Sequence, residues 1–382
     1  MKCQKLFEII DELKDKYINM VEDVCNIESP SDFKPGVDKV AYYFAEYAEK
    51  KGWKVEVLKQ NVSGDVVCIT LNPDAKEKPI SLSAHIDTVH ELGLFGTPAV
   101  RREGNIMYGP GVTDCKGNAV AAMLVLDALE KCGFDKRPVM LLLQTDEEVN
   151  SVPSNRETIN YICNKSLNSI AFLNLEAHTP GFAILQTKGI LRYEIKIKGL
   201  SVHSAACVTG ANAIAEAAYK IIEIEKIKDP DTVTCNCSII KGGTAPNNVA
   251  DECSFVVDIR YCTPEQKEDV MKKIEKIADT TTVDGCSATF KITSDRPAMF
   301  KSQKNYDLLD TVNEIFNDIG LPVLTPKLTL GGTDGAYATE FGIPCIDGIG
   351  ITGGRIHSPE EFLYTDTVAQ AAKRIASIVY CI

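Results

Sequence analysis

The chain is poor in several things whose absence narrows the field. Aromatic residues make up only 7% of it, with a single tryptophan, Trp53. It carries 41 Lys and Arg against 53 Asp and Glu, a net charge of −12, so the basic footprint of a nucleic-acid binder is missing and an anionic membrane would repel it. No apolar run approaches the roughly 18 residues that would span a bilayer. The N-terminal MKCQKLFEIIDELK is an amphipathic helix start rather than an apolar signal region. The glycine-rich loop Gly109–Asn118 contains neither G-x-x-x-x-G-K-[ST] nor G-x-G-x-x-G, which argues against a nucleotide phosphate site there. No Cys-x-x-Cys pair occurs among the 14 cysteines, so zinc-ribbon and thioredoxin-type motifs are excluded. Scattered thiols without a secretory leader fit reduced cysteines in a cytoplasmic protein. The 45% apolar content and 25% charged content are those of an ordinary globular chain, long enough for two or three domains.

The pattern of elements predicts an α/β architecture. Leu6, Ile9, Ile10, Leu13, Tyr17 and Met20 recur at helical spacing. Further helices are expected near 37–51 and 117–131, and unbroken apolar strands at 66–71, 80–84, 139–143 and 170–175. Such runs, alternating with helices, indicate a sheet covered by helices on both faces. The texture changes near Lys188. Leu191–Lys198 alternates apolar and polar residues, as a strand with one wet face does. The series strand, helix, strand, strand, helix, strand then runs to about 299, the ferredoxin-like split arrangement. The expected domains are therefore 1–187 with 300–382, and an inserted 188–299.

Chemistry-bearing residues gather where apolar strands hand over to loops, the usual place for ligands in open α/β sheets. There are only five histidines. His85 and Asp87 sit two apart at the end of a strand, so they point the same way, and a ligating His commonly donates its other N–H to a carboxylate. Alone, the pair reads equally well as a buried strand cap. Asp114 lies in the glycine-framed turn Gly109–Asn118 that opens a helix; it reads as an N-cap or as a carboxylate able to bridge two metals. Glu147 and Glu148 follow the most apolar strand, and adjacent acids can divide the roles of ligand and general base. Glu176 follows the next apolar strand, and His357 lies in a loop before the last helix. Imidazoles and carboxylates without thiolate suit a catalytic Zn²⁺, and also Mn²⁺ or Co²⁺.

The order of these motifs resembles the M20 family of metallopeptidases and amidohydrolases, in particular its glutamate carboxypeptidase type, over nearly the whole chain. The resemblance implies a two-metal catalytic domain, interrupted by a lid and dimerisation domain. It implies two divalent ions per subunit, zinc in first place. One would be held by His85, Asp114 and Glu176, and the other by Asp114, Glu148 and His357. It makes Asp87 the orienter of His85, and Glu147 the general base. In the inserted domain, Lys198–Ala205 resembles the segment whose histidine reaches a partner's active site, which gives His203 the oxyanion role and implies a homodimer. Asn247, Arg260 in Asp258-Ile259-Arg260, and Gly332 and Thr333 in the Gly331–Gly335 loop take substrate-binding roles by the same comparison. The implied reaction is hydrolysis of a peptide or amide bond next to a free carboxylate. An N-acyl amino acid deacylase is the alternative within the class, and a non-catalytic binding protein on this scaffold the alternative outside it. Two departures stand out: Cys115 follows the bridging Asp, and Ala-His follows Glu176. In several relatives the peptide after the bridging Asp is cis, so a cis Asp114–Cys115 bond is expected.

Overall fold

The structure, a computed structural model, describes residues 3–229 and 231–382. The chain divides into two compact units. The larger takes the described part of Met1–Gln186 with Lys301–Leu328 and Thr333–Ile382; the smaller takes that of Thr187–Phe300 with Thr329–Gly332. Gly332 thus packs with the smaller unit and Thr333 with the larger.

An eight-stranded mixed sheet runs through the larger unit, in the order Lys54–Leu58, Val66–Leu71, Val139–Gln144, Ile80–His85, Ala171–Asn174, Cys345–Asp347, Phe182–Thr187, Thr325–Thr329. Ile80–His85 is parallel to both of its neighbours, while Val66–Leu71 runs antiparallel to Val139–Gln144. The apolar runs become strands buried at every position, because both faces are covered. The helix Lys116–Cys132 is buried continuously from Lys116 to Leu129 and ends at Gly133, whose φ of +80° makes the left-handed cap. Gln4–Cys25 and Asp366–Cys381 pack against it, and their apolar stripes, Leu6, Ile10, Tyr17 and Val21 on one and Val368, Ala372, Ile375 and Val379 on the other, merge into the same core. No helix among the described residues is long and apolar enough to cross a membrane.

The smaller unit has a four-stranded antiparallel sheet in the order Thr234–Gly242, Glu252–Tyr261, Gly189–Lys198, Ser287–Arg296. Helices Ala213–Glu225 and Pro264–Asp279 pack on it. This is the expected ferredoxin-like order, and alternate residues Leu191, Tyr193, Ile195 and Ile197 fill its separate core. A capping box between Thr263 and Gln266 starts the second helix.

One layer had no signal in the sequence. Arg101–Glu103, Ile106–Tyr108, Gly353–Gly354 and Phe362–Tyr364 form a small antiparallel sheet. Its strands are two or three residues long, too short for an alternation to register. Gly353–Gly354 and Phe362–Tyr364 pair as a hairpin, and His357 lies in the loop between them.

Candidate active site

Three sheet strands, one helix start and the hairpin deliver the acids and imidazoles to one place. The strand Ile80–His85 ends on His85; Val139–Gln144 is followed by Glu147 and Glu148, and Ala171–Asn174 by Glu176. Asp114 precedes the first residue of the helix Lys116–Cys132 by two positions. Its own side chain is not the cap: Cys115 occupies that position and no side chain caps the helix. The Asp114–Cys115 peptide bond is cis. Gly117 is required here because a Cβ would run into the Val112 carbonyl oxygen. Gly111, with φ +77°, lets the turn fold over the Lys116 stem. Lys116 itself is fully buried and donates from Nζ to the Ile27 carbonyl at 2.8 Å, with burial lowering its pKa.

The two carboxylate oxygens of Asp114 face different histidines. Oδ1 lies 3.0 Å from His85 Nε2, and Oδ2 lies 3.1 Å from His357 Nε2. His357 Nε2 is also 3.2 Å from Glu148 Oε2, and His85 Nε2 is 3.9 Å from Glu176 Oε1. Ligand atoms of His85, Asp114 and Glu148 fall within 4.8 Å of one another, as do those of His85, Cys115 and Glu176. The donors His85, Asp114, Glu148, Glu176 and His357 therefore form one cluster around Asp114, and they fit divalent cations. Asp87 is buried behind His85, its Oδ1 3.4 Å from Nδ1. It also accepts the backbone N–H groups of Glu147 and Glu148, each at 3.2 Å, and the Ser31 hydroxyl at 2.7 Å. One carboxylate thus fixes both His85 and the acidic pair.

The electrostatics are those of negative charge crowded into a dry pocket. Burial pushes Glu148 up to about 7 and Glu176 well above the usual carboxylate range, with neighbouring acids adding to both. Burial also opposes ionisation of Asp114, but contact with His357 and His85 outweighs it and holds that carboxyl low. Contact with Asp114 and Glu148 lifts His357 to about 10. Three acids around two imidazoles, two of the acids raised, is a charge arrangement that bound cations would offset.

Sequence reasoning missed one residue that organises the site. Glu361 is fully buried at the far side of the hairpin. Its Oε1 accepts the Thr113 and Asp114 N–H groups, both at 2.9 Å; its Oε2 accepts the Gly111 N–H at 3.1 Å and lies 2.8 Å from His90 Nε2. It thereby ties the His357 hairpin to the Asp114 turn. The hint was an unexplained second acid in Glu360-Glu361. His178 donates from Nδ1 to the Gly348 carbonyl at 2.8 Å and lines a cavity of about 320 Å³ with Phe316, Leu324 and Arg374.

The remaining sequence candidates lie in the smaller unit or at its junction. His203 caps a short 3₁₀ turn, and its Nδ1 accepts the Ala205 N–H at 3.2 Å, which leaves the ring proton on Nε2. The Ser204 N–H donates to the Asn247 carbonyl at 2.8 Å, and His203 is bridged to Asn248, so these residues share one locus. Arg260 pairs with Asp258 at 2.8 Å, and Asp258 also holds Arg192, its cross-strand partner, at 2.7 Å. Arg192 was not anticipated; two guanidiniums share one carboxylate on the wet face of this sheet. The Thr333 hydroxyl is buried and committed, donating to Asp347 Oδ2 at 2.5 Å and accepting from Asn174 at 2.8 Å. Gly332 leaves no room for a side chain, since a Cβ would lie 2.6 Å from Arg296 Cδ.

Fold and donor set together define a metallohydrolase. The family model for Peptidase family M20/M25/M40 matches residues 81–380, and the chain belongs to that family. It is an enzyme that hydrolyses peptide or amide bonds. Among its relatives is carboxypeptidase G2 of Pseudomonas sp. (strain RS-16), 28% identical over 359 residues, 92% of this chain and 86% of that one. The fold is shared by aminopeptidase PepT from Bacillus cereus ATCC 10987, with a TM-score of 0.77 and 17% identity over 96% of this chain and 98% of that chain. It is shared too by the M20 family metallo-carboxypeptidase Sso-CP2 from Sulfolobus solfataricus, with a TM-score of 0.68 and 19% identity over 95% and 98%.

Proposed function

We propose that this enzyme cleaves a peptide or amide bond next to a free carboxylate, with two divalent metal ions, one held by His85, Asp114 and Glu176 and the other by Asp114, Glu148 and His357. The observation that carries the proposal is Asp114, whose two oxygens face His85 and His357 separately at 3.0 and 3.1 Å. Zinc suits the mixed imidazole and carboxylate set, with Mn²⁺ and Co²⁺ as alternatives. Bound there, the ions would supply Lewis acidity toward a carbonyl oxygen and acidify a water.

The chain's own groups do the rest. Asp87 holds the His85 ring and, through two backbone N–H groups, the acidic pair. Glu147, buried beside Glu148, takes the water's proton and delivers it to the leaving amine. His203 carries its proton on Nε2 and serves as oxyanion donor to the active site of a partner subunit, which makes the working enzyme a homodimer built on the smaller unit, the lid and dimerisation domain. Arg260, with Asn247 and the Gly332–Thr333 backbone, receives the substrate; a guanidinium suits its carboxylate by paired hydrogen bonds. Scattered thiols suit a cytoplasmic setting.

Two measurements test this. Glu147→Ala is expected to keep two metal ions per subunit and lose turnover; retained turnover refutes the base assignment. A panel of dipeptides against N-acetyl and N-succinyl amino acids, with Zn²⁺, Mn²⁺ or Co²⁺ added back, distinguishes the carboxypeptidase from the deacylase, since the first turns over peptides and the second the acylated set.

A further inference from the structure

Far from the metal-ligand cluster, three thiols meet at one end of the helix layer. Cys3 lies at the start of Gln4–Cys25, Cys381 at the end of Asp366–Cys381, and Cys132 at the end of Lys116–Cys132. The Cys3 and Cys381 sulfur atoms are 3.5 Å apart, across a sequence separation of 378 residues. The charge of Cys132, then burial, then Cys3 and Cys381 raise the Tyr380 hydroxyl, which places all three thiols around that ring. None of the fourteen cysteines is in a disulfide. Cys3 is buried at 1% exposure, whereas Cys381 is only half-buried.

We propose that Cys3 and Cys381 are an oxidation site, closed to a disulfide by a peroxide. Cys381, the less buried of the two, attacks first. Its thiol gives up a proton, the thiolate breaks the peroxide O–O bond to become a sulfenic acid, and the leaving hydroxide takes that proton to form one water. Cys3 then attacks that sulfur, the S–O bond breaks, and a second water leaves. The balance is two thiols and one hydrogen peroxide to one disulfide and two waters. The sulfurs need to close from 3.5 Å to a bond of about 2.05 Å, a movement within the reach of side-chain rotation. The reason for placing the site here is mechanical. The two helices it would join both pack on Lys116–Cys132, so the bond staples this layer across the longest loop available in the chain. Because Lys116–Cys132 has 17 residues, its far end is about 25 Å from the Asp114 turn, and the staple is remote from the reacting groups.

The test uses the full-length, zinc-loaded protein treated with a few equivalents of hydrogen peroxide, alkylated after denaturation and mapped by peptide mass. The expected result is a Cys3–Cys381 linked peptide in most molecules. The melting temperature should rise by roughly 5 °C or more, as closing a loop of several hundred residues implies, and dithiothreitol should reverse it. Turnover of the reduced and linked forms should agree within about twofold. Cys3→Ser and Cys381→Ser should each lose the linked peptide and the rise, while Cys132→Ser keeps both. A Cys207→Ser background removes the exposed thiol from the readout. The proposal fails if no link forms, if Cys132 is one of the linked partners, or if the linked protein melts where the reduced one does.

Discussion

Replacing Glu361 by alanine removes, in one step, the acceptor of three backbone N–H groups and the partner of His90. The carboxylate is fully buried, so water does not simply take its place. An unsatisfied buried donor costs about 1–3 kcal/mol, and three of them set the loss at about 3–6 kcal/mol after partial relaxation. Glu361→Gln is the informative companion. Its carbonyl can sit at the Oε1 position and keep the Thr113 and Asp114 N–H groups. Its amide then faces the Gly111 N–H, which is left alone, for a cost of about 1–3 kcal/mol. The same substitutions loosen the turn that carries Asp114, so zinc affinity should fall in the same order. Urea unfolding of wild type, Gln and Ala proteins, with and without zinc, measures both. An alanine variant within about 1 kcal/mol of wild type, or a glutamine variant as unstable as the alanine one, would refute the reasoning.

Other outcomes follow from particular contacts. Burial opposes ionisation of Asp65, but hydrogen bonds from Lys34, Tyr42, the Gln60 N–H and Lys59 hold its carboxyl far below the usual range. A depressed carboxylate stabilises the fold above its unfolded value near pH 4, and that contribution is lost as pH falls through the folded value. Asp65→Asn should therefore flatten the decline of the urea midpoint between about pH 5 and pH 2; an unchanged slope would sink this account. In the smaller unit, Lys220 is buried, donates to the Ile277 and Ala278 carbonyls at 2.8 and 2.9 Å, and pairs with buried Glu216 at 2.9 Å. Lys220→Ala should cost about 3–5 kcal/mol by stranding that carboxylate, checked by denaturant unfolding. Gly117→Ala should lower both stability and zinc affinity, because its Cβ meets the Val112 carbonyl at the base of the Asp114 turn; dialysis against a zinc buffer measures the second effect.

Much of this protein was legible from its residues because periodicity is a local signal. The apolar strands at 66–71, 80–85 and 139–144 and the alternation of Leu191–Lys198 stand out wherever the chain is cut, and they specify a covered mixed sheet beside a half-wet one. Three of the metal-ligand candidates, His85, Glu148 and Glu176, were legible for a related reason: each lies just where such a strand ends, and the residue types are costly there without a partner. What the sequence could not convey is anything that depends on long-range closure. The four-stranded patch around Ile106–Tyr108 exists only because residues about 250 positions apart meet, which is also how Glu361 comes to hold the Asp114 turn. Cys3 and Cys381 are a further case, unremarkable as two of fourteen scattered thiols and in contact only after three helices pack. The amino-acid pattern determined the longer elements and the candidate donors. Tertiary structure alone decided which oxygen of Asp114 faces which histidine and which thiols touch, because distance in space is set by packing of the whole core rather than by spacing along the chain.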